Sequence, residues 1–155
     1  MKIVFAICFL FVFITAANSE SSLKIVSLAP SITEIICTLN AGENLVGITN
    51  DCNYPDQINN TQRVGSFLNP NIEKIISLKP NIVFGIKNNL NLNFVKLDQL
   101  GIKTFLYNSP QSIEGLYELI KEIGLVLAKQ KTAENCISKL KKELILIMLK
   151  PEILK

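Results

Sequence analysis

The sequence predicts an α/β fold, a mostly parallel sheet with helices over both faces, and three observations predict it. Short apolar or β-branched runs recur as KIVSL (Lys24–Leu28), LVGIT (Leu45–Thr49), NIVFG (Asn81–Gly85) and KTFLY (Lys103–Tyr107). Segments with helical signals stand between most of them, and such crossovers join parallel strands where a hairpin cannot. Capping and turn residues punctuate the boundaries at Asn40–Gly42, Lys79-Pro80, Gly101 and Ser112.

Taken in order, Lys24–Leu28 is the first strand, and Pro30 and Ser31 open a helix. There Ser31-Ile32-Thr33-Glu34 spells a capping box, with Ser31 accepting from the Glu34 amide. The helix should end near Asn40–Gly42, where residues tolerant of positive φ gather. Leu45–Thr49 is the second strand, followed by an Asp51–Pro55 turn. The stretch RVGSFLNPNIEKIISLKPNIV then gives a loop holding one aromatic and two asparagines, a helix begun by Pro70 and Asn71, a stop at Lys79-Pro80 and a strand over Asn81–Gly85. A helix from about Leu92 to Leu100 ends at Gly101, before the fourth strand at Lys103–Tyr107. Ser112 caps a helix running to about Val126, and a longer one extends from about Lys131 to Leu149.

The first residues address the chain. Lys2, the apolar run Ile3–Thr15 and the small residues Ala16–Ser19 have the order of a secretory signal, which assigns residues 1–19 to a leader and the mature protein to an oxidising compartment. The run is shorter than the roughly 20 apolar residues that span a bilayer. Cys8 lies inside the run, so it is a poor lipidation site. The mature chain is one domain's worth of sequence. The formal charge of +3 is too small to indicate nucleic-acid binding. Beyond the leader stand Cys37, Cys52 and Cys136, an odd number, with Cys37 among Ile35, Ile36 and Leu39 as a small core residue. With no histidine and no CxxC, a thiolate metal site is discarded. The Asn59-Asn60-Thr61 sequon is short enough to arise by chance.

In open parallel sheets ligands bind beyond the carboxyl ends of the strands. That singles out Ala29-Pro30-Ser31, Asn50–Tyr54 and Ile86–Asn89, with Gly65–Asn69 beside them. None is a GxGxxG or a P-loop, and no paired catalytic groups are evident, so a nucleotide-binding protein or small enzyme is disfavoured.

The segments KIVSLAPSITEIICTLNAGENLVGIT, DCNYP, RVGSFLNPNIEKIISLKPNIVFG and LGIKTFLYNSPQSIEGLYELIKEIG, in this order and spacing, resemble the N-terminal lobe of the periplasmic substrate-binding proteins of ABC importers for vitamin B12, haem and ferric siderophores. The resemblance runs from about Lys24 to Lys142. It implies a Rossmann-like lobe at residues 20–128, then a long rigid inter-lobe helix within 129–155, with the ligand between two lobes. The chain stops at Lys155 with no second lobe, and LILIMLKPEILK lacks the polar face of a helix in water, so the sequence reads as truncated.

By the same resemblance the ligand is a cobalamin or a ferric chelate, the partner is a membrane permease, there is no resident cofactor, and the protein is not an enzyme. The cleft wall would comprise Pro30, Ser31, Asp51, Cys52, Tyr54, Phe67, Leu68 and Asn69. Phe67 stands where the family presents an aromatic to a flat macrocycle, while a core phenylalanine would look the same in sequence. B12 binders often carry an aromatic about where Asp51 stands, so the carboxylate departs from the corrinoid pattern. Tyr54 is open to a purely structural reading. Glu73 matches a glutamate that meets permease arginines, and an acid in the first turn of a helix is favourable in any protein. Asn81 replaces the aspartate of the family's Lys-Pro-Asp segment.

Overall fold

The computed structural model describes residues 22–87 and 94–149. The leader, the end of the Ile86–Asn89 loop, the start of the Leu92 helix and the tail from Lys150 lie outside them. Five strands, β1 (Ile25–Ser27), β2 (Leu45–Ile48), β3 (Gln62–Arg63), β4 (Ile82–Ile86) and β5 (Lys103–Tyr107), form one sheet in the order β3-β2-β1-β4-β5. Every pairing is parallel, with Ile25 opposite both Leu45 and Ile82, and Phe84 opposite Phe105. The chain winds outward from β1 to β3 and then returns to β4 on the other side of β1. The gap between β1 and β4 is therefore the point where the winding reverses, the usual ligand position in such sheets.

Among the described residues five α-helices cover the sheet: α1 (Pro30–Thr38), α2 (Ile72–Ser77), α3 (Phe94–Gln99), α4 (Ile113–Val126) and α5 (Gln130–Met148). Successive strand residues face opposite sides, so β1 sends Ile25 to one core and Val26 to the other, and β4 divides Ile82, Phe84 and Ile86 from Val83. The larger core unites the sheet with α1, α4 and α5 through Ile32, Ile36, Ile120, Ile123, Ala133 and Ile137. The smaller joins it to α2 and α3 through Ile72, Ile75, Phe94 and Leu97. Burial on both faces is why β1 and β4 read as apolar runs without alternation.

Local chemistry sets the helix ends. Ser112 caps α4 by accepting from the Gly115 amide at 3.1 Å, and Asn71 caps α2 by accepting from Lys74 at 2.9 Å. The capping box expected at Ser31 does not form. Pro30 occupies the first helical position, so the N-cap falls on Ala29, and no side chain caps that end. The Thr33 hydroxyl instead lies 3.1 Å from the Ala29 carbonyl oxygen. The helix expected from Pro70 starts at Ile72, beyond its Asn71 cap. The two-residue β3 was not foreseen, because Gln62-Arg63 carries no apolar signature. Asn81 accepts from the Lys24 amide at 2.8 Å, which gives the residue in place of the family's aspartate a structural task at the start of β1.

At Gly124 the helices α4 and α5 approach so closely that a Cβ would lie 2.7 Å from that of Ala133. The last turns of α5 expose Ile145, Leu146, Ile147, Met148 and Leu149. Among the described residues no helix is long and apolar enough to cross a membrane.

Candidate ligand-binding site

A depression of about 360 Å³ opens at the carboxyl end of the sheet, lined by Ala29, Pro30, Ser31, Asp51, Phe67, Ile86 and Ser109. Every strand contributes: Ala29–Ser31 come after β1, Asp51 after β2 and Phe67 after β3, while Ile86 ends β4 and Ser109 lies two residues beyond β5. The lining alternates apolar surface with two hydroxyls and one carboxylate. Scattered polar groups on an apolar wall can orient a ligand whose body is held by contact area.

A buried polar network fixes the first two loops beneath this surface. Ser27, Thr33 and Thr49 are fully buried, and Thr33 donates to the Ser27 hydroxyl at 2.8 Å. The Cys52 sulfur lies 3.2 Å from the hydroxyls of both Thr33 and Thr49. With each group partnered, burial carries little penalty and the loops are fixed relative to α1. The Arg63 guanidinium donates to the carbonyls of Thr49, at 3.0 Å, and Cys52. Reaching across from β3, it braces the β2 loop from below.

The Phe67 loop is tied down as firmly. Gly65 adopts φ +104°, where a side chain would be strained, and a Cβ there would sit 2.7 Å from the Asn69 carbonyl oxygen. The Gly65 carbonyl accepts from Asn50 at 2.8 Å, and the Asn71 amide donates to Val64 at 2.6 Å. One Asp51 carboxylate oxygen accepts from the Phe67 amide at 2.6 Å, joining the loops after β2 and β3. Phe67 is half-buried: its ring packs on the larger core and also forms part of the wall of the depression.

The depression thus brings together Pro30, Ser31, Asp51 and Phe67 from the eight residues named on sequence grounds. The other four lie elsewhere. Cys52 is 1% exposed and lies under the loop, where its contacts are the two threonines. Tyr54, 65% exposed, lines a separate hollow with Glu34, Cys37, Thr38 and Gln57. Leu68, 66% exposed, and Asn69 project at the loop tip outside the lining. Glu73 is exposed on the first turn of α2, just beyond the loop. Ser109 was missed, although the same carboxyl-end rule, extended past β5, would have reached it.

Among the described residues no group of three potential metal ligands gathers. Burial pushes the Cys37 and Cys136 thiols above their ordinary values, which keeps them protonated.

The family model for periplasmic binding protein matches residues 25–149. The chain is 36% identical over 124 residues to an uncharacterized ABC transporter substrate-binding lipoprotein, YvrC, of Bacillus subtilis, an alignment covering 78% of this chain and 39% of that protein. It is 34% identical over 109 residues to a vitamin B12-binding protein of Vibrio cholerae, covering 68% and 40%. Its structure superposes on the periplasmic heme-binding protein RhuT from Roseiflexus with a TM-score of 0.75 at 25% identity, covering 81% of this chain and 48% of that one. The chain therefore spans about half the length, or less, of the relatives it matches. With the match reaching from β1 to the end of α5, this chain belongs to the periplasmic binding protein family.

Proposed function

We propose that the chain is the ligand-binding lobe of an ABC importer's substrate-binding component, exported by its leader, and that its depression takes one face of a compact metal chelate of the cobalamin, haem or ferric siderophore kind. The observation that carries this reading is the convergence of the carboxyl ends of all five strands on one preorganised hollow with the Phe67 ring in its wall. An aromatic face set beside a flat macrocycle adds about 0.5 to 1.5 kcal/mol to the area it buries. Pro30 and Ile86 extend the apolar surface, and Ser31, Ser109 and Asp51 meet the polar rim of the ligand. Residues 20–128 serve as the lobe, and 129–155 hold the helix that leads away from it.

Glu73 serves as the docking acid. It is exposed, it belongs to none of the ion pairs among the described residues, and it sits in the first turn of α2, directly after the Phe67 loop in sequence. A rim charge of this kind chiefly affects the encounter with a basic partner surface. Measured against a solubilised cognate importer, Glu73→Lys should weaken capture of the chain by about tenfold or more while leaving its affinity for small ligands unchanged. Equal capture of both forms would remove Glu73 from the role. Equilibrium dialysis against cyanocobalamin, haemin and a ferric trihydroxamate tests the ligand class, and no retention of any of them at millimolar concentration would reject the reading as a whole.

A further inference from the structure

Resting on that reading, we infer that the site selects a chelate whose metal is already fully coordinated and whose rim turns neutral hydrogen-bond donors toward Asp51, and that it discriminates against haem. Two independent observations lead there.

The first is a census of side chains able to bind an open axial position on a metal. The sequence contains no histidine. Tyr54 points into a different hollow, and Tyr117 is buried on α4. Tyr107 pairs with the lining residue Ile86, but its hydroxyl is buried with no partner among the described residues and Tyr107 itself does not line the depression. Cys52 is beneath the loop, Cys37 is in the core, and Cys136 lies in a groove between α1, α4 and α5. Met148 is at the end of α5. Residues 88–93, which come after β4, are all asparagine or leucine and supply no such donor. Ferric haem, which presents an open axial site, thus meets no histidine, tyrosine, cysteine or methionine in the depression among the described residues, whereas a six-coordinate corrin or a hexadentate siderophore needs none.

The second observation is the sign of charge. Among the described residues Asp51 is the only ionisable side chain in the lining, and one of its oxygens is already committed to the Phe67 amide. Among the described residues the ion pairs are Lys121–Glu118 and Lys139–Glu143, so no cation neutralises it by pairing. The free oxygen accepts from an amide or hydroxyl of the ligand and repels a carboxylate such as a haem propionate. A like-charge contact of this sort is how a site rejects a near-isostere.

The test uses cyanocobalamin, its monocarboxylate with one peripheral amide hydrolysed, and haemin, titrated into the 155-residue chain and into Asp51→Asn and Asp51→Glu. Asparagine keeps an acceptor for the Phe67 amide while losing the charge, and an unchanged melting temperature confirms that the loop holds. The wild-type chain and Asp51→Glu should bind the amide form about three- to tenfold more tightly than the carboxylate, a range typical of one partly solvated charge contact, and Asp51→Asn should bring the ratio to near one. Haemin should bind more weakly than cyanocobalamin and show an absorption spectrum with solvent ligands only. Preferential haemin binding with a protein-ligated spectrum, or a ratio unmoved in Asp51→Asn, would overturn the inference while leaving a metal-chelate binder in place. Failure of all three compounds to bind would take the proposed function down with it.

Discussion

Tyr107 shows how one side chain can be both well packed and poorly satisfied. Its ring stacks on Phe84 with centroids 6.2 Å apart, yet its buried hydroxyl has no partner among the described residues. Burial pushes the phenol from 10.0 up to about 12, and the Glu122 carboxylate acts in the same direction. Because the folded value is the higher one, the native state holds the proton longer. The contribution to stability is therefore complete below pH 10 and is lost as pH rises from 10 toward 12. The Cys37 and Cys136 thiols, raised above 9.0, add the same trend from pH 9 upward. Tyr107→Phe removes an unpaired polar atom and keeps the stack, so it should raise stability at neutral pH by about 1 kcal/mol and flatten the alkaline decline. Urea melts of both proteins at about pH 7 and about pH 11 check the two effects, and a destabilised phenylalanine variant would mean that the hydroxyl has a partner.

At the scale of elements, the two serines that look like helix caps separate cleanly. Ser112 accepts from Gly115, so Ser112→Ala should cost about 1 kcal/mol. Ser31 caps nothing because α1 begins at Pro30, and Ser31→Ala should change stability by only a few tenths of a kcal/mol. Paired thermal melts decide, and equal losses would restore the capping box. The same contrast marks which features are legible in the sequence. Strands β1, β2, β4 and β5 and the helices α1 to α5 are legible in the sequence because apolar runs, the Asn71 and Ser112 caps and the Gly101 stop are short-range signals. Gln62-Arg63 becomes a strand only because Gly47 and Ile48 pair with it, a contact distant in sequence. The side-chain directions in the Asp51–Tyr54 turn were equally hidden. Whether Cys52 faces the ligand or Thr33 depends on the Arg63 brace and the buried hydroxyls, and neither is visible until β2 and β3 are side by side.

For the molecule as a whole, on the proposed function the winding reversal between β1 and β4 sets the ligand's seat, and the loops built there set how rigid that seat is. Pro30, Ser31 and Asp51 can be placed together from sequence because they follow two strands of one parallel sheet, whereas Phe67 joins them there only through the family resemblance, since β3 before it carries no apolar signature. Ser109 shares their surface through the same geometry. A single depression covers one face of a flat ligand, while the cost of immobilising that ligand is nearly independent of how much of it is covered. The 155-residue chain on its own should therefore bind well above the micromolar range.

Whether the depression is the ligand's seat can be read residue by residue from NMR of the chain during titration with cyanocobalamin. Shifts should concentrate at Ala29–Ser31, Asp51, Phe67, Ile86 and Ser109, and Phe67→Ala should lower affinity by about 1 to 3 kcal/mol with its fold retained. Shifts clustered instead around Tyr54 and Gln57 or around Cys136 and Leu140, or a Phe67→Ala variant that loses several kcal/mol of stability while its folded fraction binds unchanged, would contradict that placement.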